Sequence, residues 1–81
     1  MSRVWNEGDR VVVSSDVLPP HQNPYKEKAR DLLGFISHIT FRVNGNPGNQ
    51  YIIKLDQPIH YYGGHLEAIE VYTAQALRVR Y

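Results

Sequence analysis

The sequence contains no cysteine, and this absence excludes several kinds of site. Without a thiol the chain forms no disulfide, ligates no zinc or iron–sulfur cluster through sulfur, and offers no cysteine nucleophile. No apolar run approaches the roughly 20 residues that span a bilayer, and the N-terminal MSRVWNEGDR lacks the apolar region of a signal peptide. We therefore expect a soluble protein of the cytoplasm or an organelle stroma, with no membrane span.

An excess of charge of one sign is also lacking. Nine basic and eight acidic residues leave a formal net charge of +1 at pH 7. This is not the strongly basic balance of a dedicated nucleic-acid-binding protein, so nucleic acid is not the favoured partner. A length of 81 residues predicts a single domain, residues 1–81, with one small core.

Five segments have the β-branched composition or the alternating apolar pattern of strands. They are RVVVS (10–14), GFISHITF (34–41), QYIIKLD (50–56), AIEVY (68–72) and RVRY (78–81). Between them lie NGNPGN (44–49), a glycine-centred IHYYGGHLE loop (59–67), and TAQALR (73–78), which predicts a short 3₁₀ turn seating Leu77. The pattern predicts an all-β fold, a small five-stranded SH3-like barrel whose closure leaves few free edges.

The longest stretch without a strand pattern is PPHQNPYKEKARDLLG, residues 19–34. Two prolines open it in an extended conformation, and Asn23-Pro24 is typical of a helix start. The apolar residues that follow have helical spacing: Tyr25, Ala29, Leu32 and Leu33. With Gly34 at the place of a C-terminal cap, we predict a short helix over roughly residues 24–32 within the long first loop. An irregular loop with one helical turn is the alternative.

The chain opens with GDRVVV, continues with a long loop containing His-x-x-Pro, and has DLLG before a strand. These features resemble the variable chain of ferredoxin–thioredoxin reductase. The matching residues are His21, Pro24, Lys26, Lys28, Asp31, Leu32 and Gly34. NGNP…QYIIKLD is similar to that family's second loop and third strand. Similar barrels occur in the photosystem I accessory subunit that helps to dock ferredoxin and in the C-terminal half of the nitrile hydratase β chain. The resemblance covers roughly residues 8–56 and implies an electron-transport accessory protein.

The C-terminal part departs from the reductase pattern. YYGGHLEAIEVYTAQALRVRY is more similar to the end of the plasmid-type dihydrofolate reductase, in which a V-x-I-Y strand lines a central pore. In this chain Ile69 to Tyr72 match that strand, and Glu70 puts a carboxylate where the enzyme presents an amide. This second resemblance implies an oligomeric barrel that binds a nucleotide or pterin, with Glu70, Tyr72 and His65 at the pore.

Two groups of residues are candidates for contact with a partner. The first is the basic loop, and the second is an aromatic rim before and within the fourth strand. Together they are His21, Tyr25, Lys26, Lys28, Arg30, His60, Tyr61, Tyr62 and Tyr72. Tyrosine supplies large contact area at low entropic cost, and surface cations accelerate encounter with an acidic partner. A solvated loop face and an ordinary packed rim are the structural alternatives.

The histidines do not predict a metal centre, because none of the four has the i, i+4 spacing of a helical pair. His60 and His65 flank the glycine loop and are able to converge, with Glu67 as a third ligand, but solvated loop histidines are the preferred interpretation. His38 in the second strand is interpreted as a surface or half-buried residue. No Ser-His-Asp order and no phosphate-binding glycine loop is visible, so we predict no catalytic residue, metal or cofactor.

These observations predict a non-catalytic accessory subunit that docks on a larger protein subunit or an acidic redox protein. Three alternatives stay open: the pore-forming oligomer, a phage- or plasmid-type inhibitor that uses the same rim, and a barrel that binds single-stranded nucleic acid. The last would use a basic stripe of Arg42, Lys54, Arg78 and Arg80. The oligomeric state and the identity of the partner are not predicted.

Overall fold

In a computed structural model that describes residues 5–41 and 49–80, five antiparallel strands form one sheet. In chain order they are β1 (Arg10–Ser14), β2 (Asp31–Phe41), β3 (Asn49–Tyr61), β4 (Gly64–Val71) and β5 (Leu77–Val79). The helical segments of the described chain are three short 3₁₀ turns at Ser15–Val17, Pro20–Gln22 and Ala74–Ala76. The all-β fold predicted from the sequence is therefore confirmed.

The strand order across the sheet is β4-β3-β2-β1-β5, so the last strand returns to lie beside the first. β4 and β5 are the two edges, and within the described residues no hydrogen-bonded pairing joins them. Closure of the sheet into an SH3-like barrel thus stays a prediction. No helix in the described chain has the length and apolarity to cross a bilayer.

The core lies on one face of the sheet, because alternate residues of each strand point to the same side. Val11 and Val13 of β1 are completely buried, as are Ile36 of β2 and Ile53 of β3. Trp5 and Leu18 join this core from outside the strands. The remaining core residues are Leu32, Tyr51, Leu55, Ile59, Ile69, Val71 and Leu77.

β2 begins three residues earlier than the sequence predicts, and the helix predicted over residues 24–32 is wrong. Leu32 and Leu33 pair with Val13 and Val12 in the β1–β2 ladder, so they point to opposite faces of the sheet. Leu32 is buried and Leu33 is 41% exposed. A short isolated helix costs more to nucleate than it gains, whereas residues 31–35 pair with β1 and Leu32 is buried.

β3 and β4 are also longer than predicted, because they form a hairpin through most of the expected loop 59–67. Residues 59–61 pair with 66–64, leaving only Tyr62 and Gly63 as the turn. Gly63 has φ +108°, a conformation that glycine adopts without steric cost. The register shifts between Lys54 and Ile59, and Pro58 lies within this irregular part, where its missing N–H removes no regular ladder bond.

The C-terminal prediction is confirmed in its main feature. Thr73 caps the turn at Ala74–Ala76 by accepting a 3.3 Å hydrogen bond from the backbone N–H of Gln75. Leu77 follows directly, is buried, and begins β5 opposite Val13. Of the loop predicted at residues 44–49, all but Asn49 lies outside the described residues, as does Tyr81 of the predicted last strand.

Candidate functional site

The segment between β1 and β2, residues 15–30, is named here the insertion, and a single serine holds its base. Ser15 is completely buried. Its backbone N–H donates to the carbonyl of Arg30 at 2.8 Å, and its Oγ accepts from the backbone N–H of Arg30 at 2.8 Å. The first and last residues of the insertion are therefore bonded to each other twice.

Asn23 connects the middle of the insertion to the same serine. Its Nδ2 donates to the carbonyl of Ser15 at 3.2 Å, and its Oδ1 accepts from the backbone N–H of Tyr25 at 2.8 Å. The second bond is the one predicted for a helix N-cap, but no helix follows it. Leu18, 5% exposed, anchors the segment in the core, so the insertion is held at its base, at Leu18 and at Asn23, with two 3₁₀ turns as its regular structure.

A groove of about 650 Å³ separates the insertion from the tip of the β3–β4 hairpin, and we name it the docking groove. One wall comes from the insertion and the other from Tyr61 and Tyr62. Tyr61 is half-buried, whereas Tyr62 at the turn is fully exposed. The insertion wall consists of Pro20, His21, Asn23, Pro24, Tyr25, Lys26, Glu27, Lys28 and Arg30.

The docking groove brings together seven of the nine residues predicted to contact a partner. They are His21, Tyr25, Lys26, Lys28, Arg30, Tyr61 and Tyr62. Their convergence depends on the length of the β3–β4 hairpin, which carries its tyrosines back to the insertion. The sequence suggested the two groups separately, and only the fold places them on facing walls.

The other two predicted contact residues lie elsewhere. His60 faces His65 across the hairpin and does not line the groove. Tyr72 follows β4 and donates a 2.5 Å hydrogen bond to Glu70. It lines a separate groove of about 360 Å³, on the side where Val17 and Leu18 meet β4. The tyrosines of the aromatic rim predicted as one surface are thus divided between two grooves, and His60 lines neither of them.

The charge of the docking groove is mainly positive. Lys26, Lys28 and Arg30 line it, with Glu27 as the carboxylate among its lining residues. The guanidinium of Arg30 lies 4.9 Å from the centre of the Tyr25 ring, a cation–π contact that orders both side chains. Asp31, adjacent in sequence, is bonded instead to Arg78 at 2.6 Å. The ion pairs of the described residues thus leave the positive charge of Lys26, Lys28 and Arg30 uncompensated.

Of the basic stripe predicted for nucleic acid, two of the three described residues are paired with carboxylates, and Lys54 is exposed outside these pairs. Arg78 pairs with Asp31, and Arg80 pairs with Asp56 at 2.5 Å. Arg42 lies outside the described residues. An arginine held by a carboxylate has less charge to offer a phosphate, so this alternative gains no support from the geometry.

The histidines converge in part. His60 and His65 are directly opposite in the β3–β4 ladder, and their ring centroids are 5.9 Å apart. Glu67 does not join them, and the described residues contain no group of three or more His, Asp or Glu side chains able to hold a metal ion. His38 is on the surface, as predicted, with Nδ1 3.2 Å from the carboxylate of Glu7.

Sequence reasoning missed Ser15 and assigned a different role to Asn23. A Ser-Ser-Asp run after a strand is a weak signal for a capping serine, because either hydroxyl can serve. Ser14 in fact caps the first 3₁₀ turn, with its Oγ accepting from the N–H of Asp16 at 3.3 Å. Which serine points inward is set by strand alternation together with the direction in which the chain leaves β1.

No family model matches the chain, and neither a curated protein nor a solved structure matches it. Of the residues that carry the resemblance, His21, Pro24, Lys26 and Lys28 line the docking groove, whereas Leu32 and Gly34 are buried in β2.

Proposed function

We propose that the protein is a non-catalytic accessory module that binds a larger, acidic protein in the docking groove. The observation that supports this best is the meeting of two distant segments. The cations of the insertion and the tyrosines of the hairpin tip line the same groove. Contact area and steering charge are thereby combined on one surface, as a docking site requires.

The construction of the insertion supports the same function. A segment of this length without regular strands is normally slack, and ordering it on binding would reduce affinity. Here the side chains of Ser15 and Asn23 hold it through three hydrogen bonds, and Leu18 anchors it in the core. A held segment presents its side chains with less entropy to lose, so the structure serves recognition better than a flexible loop would.

The chemistry of the groove indicates the kind of partner. Lys26 and Lys28 are exposed and lie beside Tyr25, which is half-buried, and beside the exposed Tyr62. Such a surface suits carboxylates that surround an apolar or aromatic centre. The resemblance to the ferredoxin–thioredoxin reductase variable chain agrees with this, because ferredoxin-type carriers are acidic. On this proposal the redox centre belongs to the partner. The sheet of the chain itself closes into the SH3-like barrel.

The proposal is tested with two double variants of equal charge. Lys26→Ala/Lys28→Ala removes two cations of the docking groove, and Arg10→Ala/Lys54→Ala removes two exposed cations of the strands. Affinity capture with wild type and both variants, at low and at high salt, identifies the partner. We expect the partner to be kept by the strand variant, lost by the groove variant, and lost by Tyr61→Ala/Tyr62→Ala.

Association kinetics with the captured partner then give the mechanism. The groove variant should associate more slowly and show a flatter salt dependence, because steering by charge acts on the encounter and is screened beyond about 8 Å at physiological salt. The tyrosine variant should instead dissociate faster, since it loses contact area. If all three variants bind the partner like wild type, the groove is not the docking surface.

One observation favours the pore-forming oligomer as a second candidate. Within the described residues β4 is an edge strand, so its outer edge, which contains Glu70 and is followed by Tyr72, can pair with a second copy of the chain. Sedimentation equilibrium separates the two functions. A monomer at micromolar concentration would exclude the shared pore, whereas a stable oligomer would favour the pore over the docking groove.

A further inference from the structure

We propose that His60 and His65 form a binding site for a divalent transition metal ion, of the class of Zn²⁺, Ni²⁺ and Cu²⁺. The two residues are directly opposite each other on the β3–β4 hairpin, and both side chains are exposed. Their ring centroids are 5.9 Å apart, with the planes inclined by 39°. This proposal does not depend on the docking function.

The register of the hairpin brings the two imidazoles to one side. Tyr61 and Gly64 close the two-residue turn and form the last pair of the ladder. Antiparallel pairs alternate between hydrogen-bonded and non-hydrogen-bonded, and the pair that closes a two-residue turn is of the first kind. His60 and His65 are then a non-hydrogen-bonded pair, in which facing side chains come closest.

The distance between the rings suits a shared metal ion. Imidazole nitrogen binds Zn²⁺ at about 2.0–2.1 Å, and two such rings around one ion have centroids about 5–6 Å apart. The observed separation lies within this range, and the exposed rings can turn without moving the backbone. Imidazole selects zinc, nickel and copper, whereas Ca²⁺ and Mg²⁺ require oxygen ligands that this pair does not supply.

The site would be open and exchangeable. No third His, Asp or Glu completes the pair in the described part of the chain, so water would occupy the remaining coordination positions. A structural zinc site uses four protein ligands, and a site with free positions can accept a ligand from solution or from another molecule. A metal ion bound by the hairpin would therefore have free coordination positions that a second molecule can occupy.

The test is a titration of the intact protein with ZnCl₂, which is monitored by calorimetry and by NMR of the histidine ring protons. We expect one ion per chain, and the ring signals of His60 and His65 to shift together while that of His21 stays constant. His60→Gln and His65→Gln should each weaken binding by at least about tenfold, since even the loss of an outer-shell partner costs that much. His21→Gln, an exposed histidine outside the pair, is the matched control.

Thermal stability gives a second readout. Zn²⁺ should also raise the melting temperature of wild type and not of His60→Gln/His65→Gln, because binding to the folded hairpin stabilises it. The proposal is wrong if the double variant binds Zn²⁺ as tightly as wild type, if the His21 control weakens binding equally, or if the two ring signals respond independently.

Discussion

The hydroxyl oxygen of Ser15 accepts the hydrogen bond from the Arg30 N–H that the backbone carbonyl of Ser15 would accept in a regular antiparallel pair. Ser14 and Asp31 are the last pair of the β1–β2 ladder, and the next residues, Ser15 and Arg30, exchange two bonds of 2.8 Å. One of these uses Ser15 Oγ, so the carbonyl of Ser15 is left to accept from Asn23 Nδ2 and from the N–H of Leu18 at 3.1 Å. One buried residue thereby ends the strand pairing and holds the insertion.

Ser15→Ala should reduce the free energy of unfolding by about 1–3 kcal/mol, because it leaves the N–H of Arg30 without its acceptor in a partly buried place. Ser14→Ala is the matched control, with an expected loss below about 1 kcal/mol, since its cap bond to Asp16 is exposed. Urea unfolding compares the two, and hydrogen exchange at Arg30 locates the effect. Equal losses would contradict the role given to Ser15.

Gly34→Ala should destabilise the sheet by about 2–3 kcal/mol or more, because the new methyl group has no space. A Cβ at Gly34 would lie 2.4 Å from the carbonyl oxygen of Lys54 and 3.0 Å from Ile53 Cγ2. Gly64→Ala is the control, because the atom closest to its added Cβ is the Tyr61 hydroxyl oxygen at 3.0 Å, on a side chain that can rotate away. Thermal melts of both variants check the difference, and a Gly34 variant as stable as wild type would show that β2 and β3 separate easily.

The two arginine–aspartate pairs should contribute unequally to stability. In the Arg80–Asp56 pair the side chains are 24% and 38% exposed, against 54% and 65% in the Arg78–Asp31 pair. Exposed pairs contribute little, so Arg78→Met should cost less than about 0.5 kcal/mol and Arg80→Met about 1–2 kcal/mol. Urea unfolding at low and at high salt measures both, and a larger loss for Arg78→Met would reverse this ranking.

Pro24→Gly should loosen the insertion while changing the stability of the domain by no more than about 1 kcal/mol. Pro24 is exposed and lies in a bend, outside the hydrogen bonds that Ser15 makes. Hydrogen exchange should become faster at residues 25–28 and stay unchanged in β1 and β3. Cooperative unfolding of the whole domain by this substitution would show that the insertion and the sheet are a single structural unit.

The predicted helix shows where local pattern misleads. Asn23 forms its capping bond to the N–H of Tyr25, so the local signal was correct as chemistry. The spacing that suggested a helix then continued into Leu32 and Leu33, which belong to β2. Helical and strand patterns share such short apolar pairs, and pairing with β1 decides between them. A different local signal shortened the predicted β3 and β4, because glycines and a proline suggested a loop where the chain forms a hairpin.

By itself the sequence determined the all-β class, the exact bounds of β1, the turn that seats Leu77, and most of the residues that line the docking groove. These follow from alternation, turn chemistry and residue type, which act over a few neighbours. Only the tertiary structure decided that Ser15 holds the insertion, that the hairpin tyrosines face Lys26 and Lys28, and that His60 meets His65. Those relations depend on strand register, and register is set by burial across the whole sheet rather than by any local run of residues.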